Sequence, residues 1–183
     1  MYVSITINRR RGREVRLIAL VVDASKSMYA NMKIAAALEA ARRIAEAAYV
    51  NRDYVSLIVF QGNEAVLLLP PSRKYSEVVD KIFEIRVGGK TPLPSALYTL
   101  LNVARPFKKR FKGVVKAVLI TDGKANVKMG LAESIEEEVA ALTEELKKLG
   151  AELLAVDVRP SAYAPSYMGL LADAGWQVLC LSC

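Results

Sequence analysis

The sequence predicts an α/β domain: a doubly wound, mostly parallel sheet of six strands, with helices on both faces and a short antiparallel strand at one edge. Three observations lead there. Apolar runs at 17–22, 54–60, 114–120 and 151–158 are bounded by polar residues, the pattern of strands buried on both faces. Stretches with apolar residues at spacings of three and four lie between them, as amphipathic helices require. Finally, only Gln61-Gly62-Asn63 separates the run 54–60 from 64–69, so these two form a hairpin and the third strand runs antiparallel.

In chain order, residues 3–8 suit a short β stretch before the basic cluster 9–13, and the first main strand follows at 17–22. A helix is expected over 31–50, with Met32, Ala35, Leu38, Ala41, Ile44 and Ala48 on or near its buried face. Its many alanines favour helix and allow close approach to a sheet. After the turn at Asn51-Arg52-Asp53 comes the hairpin, which Pro70-Pro71 should stop. Residues 72–85 carry Tyr75, Val78, Val79, Ile82 and Phe83 at helical spacing, with Ser72 or Ser76 as the cap. The stretch 86–94 holds Gly88, Gly89, Pro92 and Pro94, and its prolines stiffen the approach to a helix over 94–107. Strand 114–120 ends in Thr121-Asp122-Gly123. The helix over 132–149 has glutamates at its start and Lys147-Lys148 at its end, matching the helix dipole, so Glu133, Glu136, Glu137 and Glu138 read as structural. Strand 151–158, a loop over 159–165, a short helix over 166–174 and a last strand at 176–181 complete the chain. Right-handed crossovers with the order 3-2-1-4-5-6 bring the ends of the first and fourth strands side by side.

Composition excludes several classes. With 183 residues, 53% of them apolar and 25% charged, the chain has enough for one domain with a sizeable core. No apolar run approaches the ~20 residues of a membrane span, and the amino terminus puts its charges after its apolar residues, the reverse of a secretory signal, so the expected location is cytoplasmic. There is no histidine, which removes Ser-His-Asp triads and most zinc catalysis. Cys180 and Cys183 make a C-x-x-C with no second pair, so neither a thioredoxin nor a zinc motif follows; Cys180 is expected to face the core at a strand end. The net charge is +7, concentrated at 9–13 and 108–116, without the interleaved aromatics of a single-strand platform. Nucleic acid is therefore not expected as a partner.

The chemistry lies at strand ends. Asp23-Ala-Ser25-Lys-Ser27 sets a carboxylate and two hydroxyls at alternate positions where open α/β sheets bind ligands. Thr91 in the Gly-rich loop and Asp122 after the fourth strand add a third hydroxyl and a second carboxylate. Such a set of hard oxygens suits Mg²⁺, which holds some of its waters, so at least one position is left for water or an outside ligand. Two acids neutralised by a divalent ion leave no surplus negative charge against an incoming carboxylate. Asp157 also ends a strand but is expected beyond the reach of such an ion, and Met28 and Met32 are expected to pack in the core or at the rim.

These three elements, in this order, resemble the metal-ion-dependent adhesion site of the von Willebrand factor type A (integrin I-like) family. Within it, Val21-Val22-Asp23-Ala24-Ser25-x-Ser27-Met28, Gly88-Gly89-x-Thr91-Pro92-Leu93 and Leu119-Ile120-Thr121-Asp122-Gly123-x-Ala125-Asn126 are most similar to the carboxyl-terminal domain of magnesium-chelatase D subunits. The resemblance divides the chain into a basic leader, 1–15, and a type A domain, 16–183. It implies a non-catalytic docking role: Mg²⁺, with Mn²⁺ as a possible substitute, held by Asp23, Ser25, Ser27, Thr91 and Asp122, accepts an Asp or Glu from a partner. In that family the partners are an AAA+ ATPase subunit and a porphyrin-binding subunit, and the complex inserts Mg²⁺ into protoporphyrin IX. Lys26 and Lys90 stand where many relatives have glycine; together with Lys124 and Asn126 they are candidate partner contacts. The chain carries no Gly-x-x-x-x-Gly-Lys-Ser/Thr loop, so ATP binding by that route is not expected. It reads as an excised domain or as a stand-alone relative. The alternatives are an adaptor for another AAA+ or ribonucleoprotein assembly and, less favoured, a metal-dependent phosphohydrolase. Ser25 sits where haloacid-type hydrolases need a second acid.

Overall fold

The computed structural model describes residues 14–159 and 166–181. The expected β stretch at 3–8, the basic cluster 9–13, Tyr163 and Cys183 lie outside them. One six-stranded sheet runs in the order β3-β2-β1-β4-β5-β6, with β1 (Arg16–Asp23), β2 (Tyr54–Gln61), β3 (Glu64–Ser72), β4 (Val114–Thr121), β5 (Glu152–Asp157) and β6 (Gln177–Cys180). All neighbours are parallel except β2 and β3. The doubly wound order and the antiparallel edge are those the sequence predicts.

Alternation along β1 sorts the core. Leu17, Ala19 and Val21 face α3 (Leu93–Phe111), α4 (Ile135–Lys148) and α5 (Met168–Ala174), whereas Ile18, Leu20 and Val22 face α1 (Lys33–Val50) and α2 (Tyr75–Glu84). Successive strand residues point to opposite faces, so a strand covered on both sides must be apolar throughout. The chain leaves β1 toward β2 on one side, and β4 lies on the other. The switch point of the sheet is therefore between β1 and β4, and their carboxyl ends meet there.

Several boundaries differ from the sequence reading, each for a local reason. Residues Lys26–Met32 form a 3₁₀ helix, and α1 begins only at Lys33. Asn31 and Met32 stand at φ 55° and 54°, and this left-handed pair re-aims the chain before the helix. The buried face of α1 is consequently Lys33, Ala37, Ala40, Ala41, Ile44, Ala45 and Ala48; Met32 and Ala35 are exposed, and Leu38 is half-buried. Met28 is fully buried. β3 continues through Pro70 and Pro71 to Ser72, because an edge strand tolerates missing donors and a register shift opposite Val55 and Leu57 absorbs them. Phe83 is exposed. Ser72 does not cap α2, which starts after Lys74; its hydroxyl instead accepts the Lys74 N–H and donates to Glu77.

α3 runs past Pro106 to Phe111. The carbonyl that Pro106 leaves without a donor belongs to exposed Asn102, where water can serve it. Packing of Phe107 and Phe111 on Tyr54, at ring separations of 5.5 and 5.2 Å, holds the last turn in place. Lys108, Lys109 and Arg110 occupy that last turn, where the helix dipole favours cations, so part of the second basic cluster is structural. α4 is capped by Ser134, whose hydroxyl accepts the Glu137 N–H at 3.2 Å. Cys180 is half-buried at the end of β6. No helix among the described residues is long and apolar enough to cross a membrane.

Candidate metal centre at the sheet switch point

Asp23 ends β1 with no exposed surface. Its Oδ1 accepts the Ser25 N–H at 2.9 Å, the turn that an aspartate two residues before a free N–H makes on its own. Its Oδ2 accepts the Thr121 hydroxyl of the neighbouring strand at 2.6 Å, and the same hydroxyl accepts the Gly123 N–H at 3.0 Å. The side-by-side registry of β1 and β4 makes these contacts possible. Ser25 and Ser27 stand with their hydroxyl oxygens 3.1 Å apart. Burial pushes the Asp23 carboxyl up to about 6, against the lowering by its Ser25 and Thr121 hydrogen bonds; nearby Asp122 adds to the rise.

Backbone hydrogen bonds bring the Thr91 loop to the same end. Lys26 N–H donates to Gly89 carbonyl, Gly88 N–H to Ala24 carbonyl, and Gly62 N–H to Lys90 carbonyl, each at about 3.0 Å. Gly89 is needed there: at φ +71° a Cβ would meet Gly62 Cα at 2.7 Å. Thr91 is buried, and Asn126 holds it from both sides, its side-chain oxygen taking the Thr91 N–H at 2.8 Å and its own N–H donating to the Thr91 carbonyl at 3.1 Å. Asn126 is therefore a brace for the Thr91 loop, a role its sequence position alone does not reveal. Lys26, Lys90 and Lys124 are exposed. Tyr167 donates its N–H to the Gly123 carbonyl at 2.6 Å and lines a groove beside the Asp122 loop with Lys124 and Asn126.

Asp122 is fully buried, and its Oδ1 accepts the Lys124 N–H at 3.2 Å. Its Oδ2 forms an ion pair with the Lys33 ammonium at 2.5 Å. The sequence reading missed Lys33. The signal was present: Lys33 precedes Ala37, Ala40, Ala41 and Ile44 at helical spacing, so it is a cation on the one face of α1 that goes inside. Asp157, at the end of β5, is engaged by Arg159 through a 2.6 Å ion pair and further hydrogen bonds.

The residues fit a hard divalent cation. The donors are all oxygens: the two buried carboxylates of Asp23 and Asp122, the paired hydroxyls of Ser25 and Ser27, and the hydroxyl of Thr91. Among the described residues there is no cluster of three or more His, Cys, Asp or Glu, so the donors at hand are the two carboxylates and the hydroxyls. Asp122 already turns one oxygen to a cation, the Lys33 ammonium.

Residues 18–124 match the sequence model of the von Willebrand factor type A domain. The chain is similar to the magnesium-chelatase 67 kDa subunit of Chlorobaculum tepidum, 36% identical over 168 residues that cover 85% of this chain and 27% of that protein. It is also similar to the magnesium-chelatase 60 kDa subunit of Cereibacter sphaeroides, 33% identical over 84% of this chain and 28% of the relative. The chain thus spans little more than a quarter of the length of these relatives. Among solved structures, BatB from Bacteroides thetaiotaomicron superposes with a TM-score of 0.68 over 92% of this chain and 90% of that one at 18% identity, a likeness of fold alone.

Proposed function

The chain belongs to the von Willebrand factor type A family, and from that premise we propose that it is an Mg²⁺-dependent protein-docking module of a cytoplasmic, ATP-driven chelatase complex. Residues 16–183 form the module. Asp23, Ser25, Ser27, Thr91 and Asp122 hold the ion, for which Mn²⁺ can substitute. The bound ion supplies an open coordination position for an Asp or Glu of a partner, an AAA+ ATPase subunit or a porphyrin-binding subunit. The chain itself performs no covalent step.

The observation that carries this reading is the meeting of the β1 and β4 ends, where Thr121 clamps Asp23 beside the paired hydroxyls of Ser25 and Ser27. The Thr121 and Ser25 hydrogen bonds fix Asp23 in one orientation before any ion arrives, which lowers the ordering cost of binding. Asn126 fixes the backbone on which Thr91 is carried. The rim lysines at 26, 90 and 124 raise the local potential for an acidic partner segment and speed its approach. The chelatase assignment is supported by the similarity to two magnesium-chelatase subunits over most of this chain.

Association with a chelatase-type AAA+ ATPase subunit, measured by surface plasmon resonance in Mg²⁺ and again in EDTA, tests the docking claim. Binding should vanish in EDTA and in the Asp23→Ala variant. Binding that survives both would move the interface away from the metal centre.

A further inference from the structure

Lys33 alters the charge arithmetic of the metal centre. Its side chain is buried, and its ammonium lies 2.5 Å from Asp122 Oδ2. The left-handed pair Asn31 and Met32 turns α1 so that its first residue enters the site. Arg159, whose charge also reaches Asp122, forms its ion pair with Asp157 at 2.6 Å, and that pair is counted as neutral. The centre therefore holds two buried carboxylates, Asp23 and Asp122, against one buried ammonium.

We infer that Lys33 is the resident cation of this centre: it shares Asp122 with the metal, weakens Mg²⁺ binding, and makes the loaded site positive so that it selects an anionic ligand. Without metal, two carboxylates and one ammonium leave a single negative charge, which repels a carboxylate. A divalent ion reverses the sign, leaving a single positive charge that one Asp or Glu neutralises. Counting the acids alone gives a neutral loaded site; the buried lysine makes the charge positive at the ion itself, in addition to what the exposed rim lysines contribute. The low local dielectric makes each of these charges count for more than it would at the surface. The inference rests on the metal-docking reading and specifies its ligand selectivity.

The test is a calorimetric Mg²⁺ titration of the whole chain as wild type, Lys33→Met and Lys33→Gln. Lys33→Gln keeps a hydrogen-bond donor toward Asp122 without the charge, and serves if two unpaired carboxylates prevent Lys33→Met from folding. Both neutral variants should bind Mg²⁺ at least tenfold more tightly than wild type. In EDTA their urea midpoints should fall below wild type, and Mg²⁺ should restore them. A purely structural lysine would lower stability without tightening the metal. Tight binding by the variants with none by wild type would uphold the competition by Lys33 but overturn the loaded-site selectivity, and the docking reading of the wild-type chain with it. Equal or weaker binding by the variants, with a wild type that binds, overturns it and leaves the docking reading standing. Binding by none of the three overturns the docking reading, and the inference with it.

Discussion

Replacing Asp23 by asparagine should stabilise the metal-free protein at neutral pH. The carboxyl is buried without exposed surface, and burial lifts it from 3.8 to about 6. A carboxyl raised in the folded state contributes stability that is fully present below its unfolded value and is lost as pH rises through the folded one. Above pH ~7 the wild type therefore carries an ionisation cost of ~3 kcal/mol, the rise of about two pH units taken at 1.36 kcal/mol each. Asparagine matches the shape and has no charge. Its oxygen can keep the Ser25 N–H, and the Thr121 hydroxyl, which now donates to Asp23, can rotate to accept from the amide. The expected gain in Asp23→Asn is on the order of 1–3 kcal/mol at pH 7.5 in EDTA, shrinking toward zero near pH 4. Urea unfolding at the two pH values measures it. A loss of stability of the same size at both would mean instead that the hydrogen bonds outweigh the burial of the charge.

Two other substitutions probe the frame of the site. Gly89→Ala forces a Cβ onto Gly62 Cα at φ +71°, so it should cost about 2 kcal/mol and weaken Mg²⁺ binding by shifting the Thr91 loop, read by urea unfolding and calorimetry together. Glu138, buried, accepts the Met129 and Leu131 N–H groups at 2.8 and 2.7 Å, and these bonds hold its carboxyl below the ordinary value against the opposing effect of burial. Glu138→Ala should cost about 1–3 kcal/mol and deprotect the amides of 129–132 in hydrogen exchange, and the wild-type contribution should be lost as pH falls below the usual glutamate range.

The fold was legible because its signals are redundant. Four apolar runs, the alanine-rich helix and the three-residue turn before β3 each point to the same sheet, and the order of strands follows from right-handed crossovers. What the sequence hid depends on contacts made across the fold. Pro70 and Pro71 look like a stop, yet an edge strand with a shifted register carries them. Met32 and Ala35 fit a helical stripe only until the left-handed residues at 31 and 32 rotate that stripe toward Lys33, Ala37 and Ala40. Glu138 has the composition of a helix-dipole residue, and its carboxylate instead organises the preceding loop. At the site, Asp23, Ser25 and Ser27 were readable because they are close in sequence. The Thr121 clamp and the Asn126 brace join residues 98 and 35 positions apart, where spacing carries no information; helical spacing puts Lys33 on the buried face of α1 but does not say which acid, 89 positions on, it meets.

A calorimetric titration of the wild-type chain and Asp23→Ala with Mg²⁺ at pH 7.5 tests the metal centre itself. One Mg²⁺ per chain should bind to the wild type and none to the variant, with both folded by circular dichroism. No binding to the wild type, or equal binding to both, would contradict a metal centre at the ends of β1 and β4.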